Sequence, residues 1–439
     1  MKLHFSISRL STISIASIFI VNLTSSVFCV DALPAPPGQT NSTAPPLGTI
    51  KLPAPTGKHA VGTTNLILTD HSRLETLSPT PNTTARTFIA QVYYPTLPLN
   101  QLKKYALSPY LTPGLARFTE KLNMLPDYVL DGVITNSYVD APVVLPHGEA
   151  KEVVLFSSGY GGSRSYYTSF HENLASMGYV VVAMEHLYDV EFVDIPGLGD
   201  FWNTYYNTTV DLKTQVTSMT KVRVGDSLFI LNSLANKNSD LVKGVESLLE
   251  NCGEKTERGS WWSKNAKVVM YGHSLGGSTA LVTMLNNKTP TKIVGGLNLD
   301  GGFWGTAGPI PNPPPSSYIV KDPFLMWGAP GHSRVEDESW AAVYNHVLKG
   351  WKRELSLEGA AHGTFTDFPA LVDLFGARSL LPKEQVDQAV GTIPGVRSLE
   401  VIREVTACFI RLALRGDSGC KKLLDGAGKK QWPEVDFKF

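Results

Sequence analysis

Lys267-Val268-Val269-Met270-Tyr271 runs without interruption into Gly272-His273-Ser274-Leu275-Gly276-Gly277, and this junction constrains the fold more than any other stretch. The apolar run continues past Gly-x-Ser-x-Gly into Ser278-Thr279-Ala280-Leu281-Val282-Thr283-Met284-Leu285, with Leu281 and Leu285 one turn apart, which reads as strand, sharp turn and helix. A serine at the tip of such a turn has a strained backbone. Glycines two residues to either side let strand and helix approach closely enough to present its hydroxyl. The pentapeptide alone carries little in a chain with 38 glycines, where it also reads as a turn between two core elements. Ser274 is the candidate nucleophile.

Strand-like runs recur at 64–68, 87–94, 152–156, 179–184, 267–271, 292–299, 323–327 and 353–357, several of them continuously apolar. Such runs suit strands buried on both faces of a parallel sheet, and the segments between them carry helical periodicity, the longest at 211–234 and the last at 399–414. Alternating β and α elements with a nucleophile elbow predict a doubly wound α/β fold. Its sheet is mostly parallel and doubly wound, with helices on both faces and ligands at the carboxyl ends of the strands. The glycine- and aromatic-rich segment 189–206 is a candidate cap over the site or an insertion, and 311–315 is a proline-rich surface loop.

The chain ends bound the rest. Basic residues up to Arg9, an apolar run over 13–23 and small residues leading to Val30-Asp31-Ala32 predict a secretory signal peptide over 1–32, with Cys29 a competing cleavage site. Residues 33–55, dominated by Pro, Ala, Gly, Ser and Thr, predict a disordered tail, and 56–439 a single catalytic domain. An exported, soluble protein is the expectation. Beyond the signal, Cys252, Cys408 and Cys420 remain; Cys408 fits the apolar face of the last helix, which leans toward a Cys252–Cys420 bridge. Sequons at Asn41, Asn82, Asn207 and Asn287 fit a glycosylated surface, with Pro290 weighing against the last. No metal-binding or thioredoxin-type cysteine spacing is present, and no cofactor is expected. Lys plus Arg and Asp plus Glu both number 39, so no global field attracts nucleic acid, and small uncharged or zwitterionic substrates are favoured.

A serine hydroxyl needs an imidazole to take its proton and a carboxylate to fix that imidazole's tautomer. Among ten histidines, His362 is the leading base, because it follows the last strand in the small-residue turn Gly359-Ala360-Ala361-His362-Gly363. His332 is the alternative but follows an earlier strand; His273 sits inside the elbow. For the acid, Asp300 at a strand tip before Gly301-Gly302 competes with Asp337, which lies in the charged run Arg334-Val335-Glu336-Asp337-Glu338, read as a solvated helix start. Both satisfy the order serine, acid, histidine, and the strand-tip position favours Asp300. Oxyanion donors are expected at the backbone of Leu275 and of Tyr160, the latter in the loop Phe156-Ser157-Ser158-Gly159-Tyr160-Gly161-Gly162.

From about Thr87 to Leu414 the chain resembles the secreted platelet-activating-factor acetylhydrolases. The residues that carry the likeness are the 157–162 loop, Leu174-Ala175-Ser176-Met177-Gly178-Tyr179-Val180-Val181 ending in Glu185-His186, Arg223-x-x-Asp226, the elbow, Leu299-Asp300-Gly301 and Ala361-His362-Gly363-Thr364-Phe365-Thr366-Asp367-Phe368. The resemblance implies an α/β-hydrolase fold and a calcium-independent serine esterase that removes short or oxidised acyl groups from the sn-2 position of phospholipids, with Asp300 as the acid. This chain has Ser158-Gly159 where the family has His-Gly, and Glu185-His186-Leu187-Tyr188-Asp189 where the family has Glu-His-Arg-Asp. Phe303, Trp304, Tyr160 and Tyr166 are expected to wall a narrow apolar slot for a short acyl group. The expected partner is a small lipid or ester. Trp202, Tyr205 and Tyr206 are candidates for peripheral contact with a membrane or lipid particle, or for cover by a glycan on Asn207. Two other readings stand beside this one: a polyester, cutin or secondary-metabolite ester hydrolase on the same triad, and a non-catalytic binding module, against which the intact triad argues.

Overall fold

The computed structural model describes residues 49–123, 125–145, 150–204, 209–249 and 262–438. Six parallel strands form its centre, in the spatial order Val180–Glu185, Ala150–Ser157, Trp262–His273, Lys292–Leu299, Phe324–Gly328 and Lys352–Leu357. One flank is extended by Ala85–Pro95 and Val61–Leu74 running antiparallel, and then by Val133–Val139, Ile50–Lys51 and Leu107–Pro109. On the other flank Val435–Lys438 pairs antiparallel with Lys352–Leu357. All eight strands expected from the sequence are present. The short ones at 50–51, 107–109, 133–139 and 435–438 were not foreseen, because they are brief or polar and acquire strand character only by pairing.

Alternation along the central strands divides the core in two. Val154, Phe156, Val181, Ala183, Val269 and Tyr271 face helices Gly395–Arg415 and Thr168–Ser176, whereas Val153, Leu155, Val182, Met184, Val268 and Met270 face helix Leu212–Leu234. Each of these residues is essentially fully buried, which explains the unbroken apolar runs. From Ala150–Ser157 the chain winds first to one side and then, at Trp262–His273, to the other. The carboxyl ends of these two strands therefore flank the switch point of the sheet, where such folds leave a crevice.

One expectation is corrected. Residues 49–55 belong to the folded unit and not to a disordered tail: Leu52 is buried, and the Arg403 guanidinium donates to the carbonyls of Pro53 (3.0 Å) and Ala54 (3.2 Å). The segment after Asp189 forms a hairpin, Phe192–Ile195 with Gly199–Trp202, tied down by Asp194, whose carboxylate accepts from the N–H groups of Gly114 (2.9 Å) and Leu115 (2.8 Å) at the start of helix Pro113–Leu122. Cys408 is buried in the last long helix as expected, and Cys420 packs beside it, also buried and free. Cys252, the signal segment, Asn41, Asn207, Tyr205 and Tyr206 lie outside the described residues. Asn82 is exposed; the Asn287 side chain is engaged by Thr289 and Thr291.

Behind the 157–162 loop lies a buried ionic web. Asp226 accepts from Arg86 (2.7 Å), Arg73 (2.8 Å) and His186 Nδ1 (2.9 Å), and Arg86 also reaches Glu75 (2.6 Å). Burial opposes charge on Asp226, yet Arg86, His186 and Arg73 outweigh it and hold the carboxyl well below the usual range. His186 Nε2 then accepts from the Ser157 hydroxyl at 3.0 Å, so the web holds the end of a central strand. Removing one member strands the others without charge balance in a dry interior. Arg86→Ala is expected to cost about 3–5 kcal/mol of folding stability, measured as a fall in the urea unfolding midpoint.

Candidate active site

The strand-to-helix turn is as tight as its glycines require. A Cβ on Gly276 would lie 1.9 Å from the Ser157 carbonyl oxygen, and one on Gly272 would lie 2.2 Å from the Gly276 carbonyl carbon. Ser274 sits between them at φ 54°, ψ −124°, a region that costs a non-glycine residue about 1–3 kcal/mol. Its N–H donates to the Leu299 carbonyl at 2.8 Å, which ties the elbow to the neighbouring strand. Leu275 opens helix Leu275–Asn286, where the first N–H groups have no intrahelical acceptor.

Asp300 leaves the tip of strand Lys292–Leu299, also at positive φ (53°), with its N–H held by the Trp327 carbonyl at 2.7 Å. Its Oδ2 accepts from His362 Nδ1 at 2.6 Å. Oδ1 accepts from the Ala329 N–H and from His332 Nδ1, each at 2.8 Å. Burial alone would raise the Asp300 carboxyl, but His332 and His362 outweigh it and hold it well below the usual carboxylate range. Among the described residues, His362 Nε2 is buried with no hydrogen-bond partner, and His362 and Ser274 line the same cavity. The alternative base and acid are joined to this group rather than separate from it: His332 Nε2 meets Asp337 Oδ2 at 3.2 Å. Asp337 does start a helix, capping Glu338–Ala342, yet its other carboxylate oxygen faces inward to His332.

The 157–162 loop is positioned from behind by Arg223, a fully buried residue of helix Leu212–Leu234. Arg223 pairs with Asp189 (Nε to Oδ2, 2.6 Å) and donates to the carbonyls of Ser158 and Gly159, the latter at 2.9 Å. The Gly162 N–H donates to the same Gly159 carbonyl at 3.1 Å. In a trans peptide the C=O and the following N–H point opposite ways, so this grip turns the Tyr160 N–H away from Arg223. The Gly159 N–H is taken by the Tyr167 hydroxyl (3.2 Å), which donates in turn to His273 Nδ1 (2.9 Å), while His273 Nε2 donates to the His362 carbonyl (3.1 Å). Burial keeps His273 neutral, far below its ordinary range, which suits one donating and one accepting nitrogen. The elbow histidine thus links the 157–162 loop, the strand-to-helix turn and the His362 backbone. Neither Arg223 nor Tyr167 stood out in the sequence as a support for the loop; of the two, only Arg223, inside Arg-x-x-Asp, carried a signal.

The cavity holds about 90 Å³ and is lined by Gly159, Tyr160, Tyr166, Ser274, His362 and Phe368, among others. That volume is well below the roughly 300 Å³ at which drug-sized pockets begin. Tyr160 and Tyr166 line it. Phe303 and Trp304 do not: the chain leaving Asp300 passes along helix Leu275–Asn286, so Phe303 packs with Phe324 and Trp340, and Trp304 with Leu275 and Met219. Glu191, from the segment after Asp189, also lines the cavity, and burial raises its carboxyl to about 8. Among the described residues no cluster of three or more His, Cys, Asp or Glu side chains could hold a metal ion. No helix among them is long and apolar enough to cross a membrane.

Comparison with known proteins adds the chemistry. Residues 47–190 match the family described as platelet-activating factor acetylhydrolase, isoform II. A probable 1-alkyl-2-acetylglycerophosphocholine esterase of Arthroderma benhamiae is 30% identical over 402 residues, spanning 88% of this chain and 93% of that protein. A platelet-activating factor acetylhydrolase of Cavia porcellus is 23% identical over 302 residues, 66% of this chain and 64% of that protein. The solved structure of a ferulic acid esterase from Streptomyces cinnamoneus is similar with a TM-score of 0.69 at 28% identity, covering 89% of this chain and 100% of that one.

The histidine beside the acid has a consequence for stability. Burial disfavours its charged ring, but Asp300 and Asp337 outweigh burial and push His332 up to about 10. A group protonated more readily when folded contributes fully below its unfolded value, near 6.5, and loses that contribution as pH rises toward 10. The urea midpoint of the wild type is expected to fall from pH 6.5 to 9 more steeply than that of His332→Gln, so that the difference between the two narrows with rising pH.

Proposed function

The chain belongs to the platelet-activating factor acetylhydrolase family and is a carboxylic ester hydrolase, and from that premise we propose that Ser274, His362 and Asp300 form its catalytic triad. The observation that carries this reading is the 2.6 Å bond from His362 Nδ1 to Asp300, which leaves a partnerless Nε2 beside the cavity that Ser274 lines. In the proposed cycle, His362 Nε2 takes the proton of Ser274 as its Oγ attacks the ester carbonyl, and Asp300 stabilises the imidazolium. The Tyr160 and Leu275 N–H groups hold the oxyanion, a contribution of roughly 3–4 kcal/mol per donor. The alcohol leaves with the proton from His362, and water, activated by the same base, releases the acid from the acyl-serine. No step calls for calcium.

The substrate we propose is a phospholipid with a short or oxidised sn-2 acyl group, the 1-alkyl-2-acetylglycerophosphocholine type. The names of the relatives and a cavity of about 90 Å³ between Tyr160, Tyr166 and Phe368 support it, since such a space suits an acetyl-sized group better than a long chain. Secretion, glycosylation and peripheral lipid contact belong to the same proposal and rest on the leader-like segment, the sequons and the exposed Trp202. A second reading, hydrolysis of simple or aromatic esters, is favoured by the likeness to the ferulic acid esterase.

Initial rates on 2-acyl phosphatidylcholines, p-nitrophenyl esters and a ferulate ester, each compared with Ser274→Ala, separate these readings. Rates that fall steeply beyond short sn-2 chains are expected; activity on simple esters with none on phospholipid would move the substrate to the second reading. Ser274→Ala is expected to lower turnover by up to about a million-fold. Asp300→Asn should damage turnover far more than Asp337→Asn. Chelators should leave the rate unchanged, and inhibition that added calcium reverses would overturn calcium independence.

A further inference from the structure

His332 follows Phe324–Gly328, the strand between those that deliver Asp300 and His362, so three consecutive parallel strands bring their carboxyl ends to one carboxylate. We propose that His332 is a positioning residue for the triad, an imidazolium bridging Asp300 and Asp337 that aims Asp300 at His362 and extends turnover to lower pH. This deepens the triad reading and rests on it.

The geometry requires the charge. Nδ1 lies 2.8 Å from Asp300 Oδ1 and Nε2 lies 3.2 Å from Asp337 Oδ2. A neutral imidazole has one N–H and would turn the lone pair of its other nitrogen onto a carboxylate oxygen; only the doubly protonated ring donates to both. The ring is also clamped. Trp340 lies against it with ring centroids 4.5 Å apart, and Asp337 is fixed by the N–H and hydroxyl of Ser339 (2.7 and 2.6 Å) and the Trp340 N–H (3.2 Å). The remaining charges nearby are turned elsewhere: Glu336 takes the Ser333 hydroxyl, and Arg334 pairs with Glu354 (3.5 Å) and covers the Tyr344 ring. His362 faces His332 across Asp300, with neutral His273 on its far side.

Two effects follow. With Oδ1 occupied by His332 and the Ala329 N–H, Oδ2 is left to His362, which fixes the orientation of the base. The positive ring also offsets part of the Asp300 charge, so the acidic limb of the rate profile depends on the side chain at position 332. His332 itself neither gains nor loses a proton during turnover.

The test uses the full chain and p-nitrophenyl acetate, with kcat/KM measured from pH 4 to 9 for wild type, His332→Gln, Asp337→Asn and the double variant. The acidic limb is expected to move up by about one pH unit in His332→Gln, and kcat/KM at its plateau is expected to fall in both His332→Gln and Asp337→Asn. The double variant should match His332→Gln, because Asp337 acts through His332. An unmoved limb, or additive effects in the double variant, overturns the proposal. A readout independent of turnover is the ¹⁵N spectrum of histidine-labelled protein at pH 8: a doubly protonated ring assigned to position 332 is expected in the wild type, and that signal should be missing from His332→Gln. A neutral ring at position 332 sinks this proposal alone, whereas turnover that survives Ser274→Ala sinks the triad reading together with it.

Discussion

Everything at the site depends on how closely the nucleophile turn approaches the neighbouring strand. The Gly276 backbone packs so tightly on the Ser157 carbonyl that no side chain fits, and the same contact sets the distance between the elbow and the 157–162 loop. Ser274 is held at a positive φ by bonds on both sides: its N–H reaches Leu299 and its carbonyl receives the Gly277 N–H. The strain stays local because parallel strands buried on both faces surround it. The Ser274 hydroxyl, the loop and Asp300 all stand at the carboxyl ends of adjacent strands, so the topology of the sheet brings them together.

Around this frame the interior carries an unusual load of charge, and each charged group has a task for the backbone. Arg223, paired with Asp189, spends its remaining N–H groups on the carbonyls of Ser158 and Gly159. Asp226 gathers Arg86, Arg73 and His186, and His186 reaches the Ser157 hydroxyl. Buried ion pairs add little net stability against an apolar replacement. Their value here is directional, because a guanidinium fixes carbonyl orientation in a way that packed methyl groups cannot. The two departures from the family pattern fall in this layer: Asp189 is the partner of Arg223, and Ser158 supplies one of the carbonyls Arg223 holds.

The histidines divide by environment rather than by sequence neighbourhood. His186 and His273 are buried and held neutral, and each passes a hydrogen bond from one element to the next. His332, flanked by two carboxylates, is held charged. His362 shares Asp300 with it and turns its other nitrogen toward the cavity. Spacing along the chain carries none of these distinctions.

The sequence by itself determined the elements and the elbow. Apolar continuity marked the eight main strands, and the pair Gly272 and Gly276 announced a turn that only glycine permits. The order of strands also made Ser274, Asp300 and His362 legible, since each follows a strand whose end the fold must bring to one side. Short and polar strands such as 133–139 were not legible, because their stabilisation comes from the neighbour they pair with. Phe303 and Trp304 read as pocket walls by proximity to Asp300, yet the direction of the chain after that residue sends them to another face of the helix. Asp337 and His332 read as rivals of Asp300 and His362 because they too follow a strand and fit the order along the chain. Only the tertiary structure decided that they are coupled to Asp300 and, through it, to His362, because hydrogen bonds act over about 3 Å and the contacts that matter join residues 32, 62, 64 and 106 positions apart.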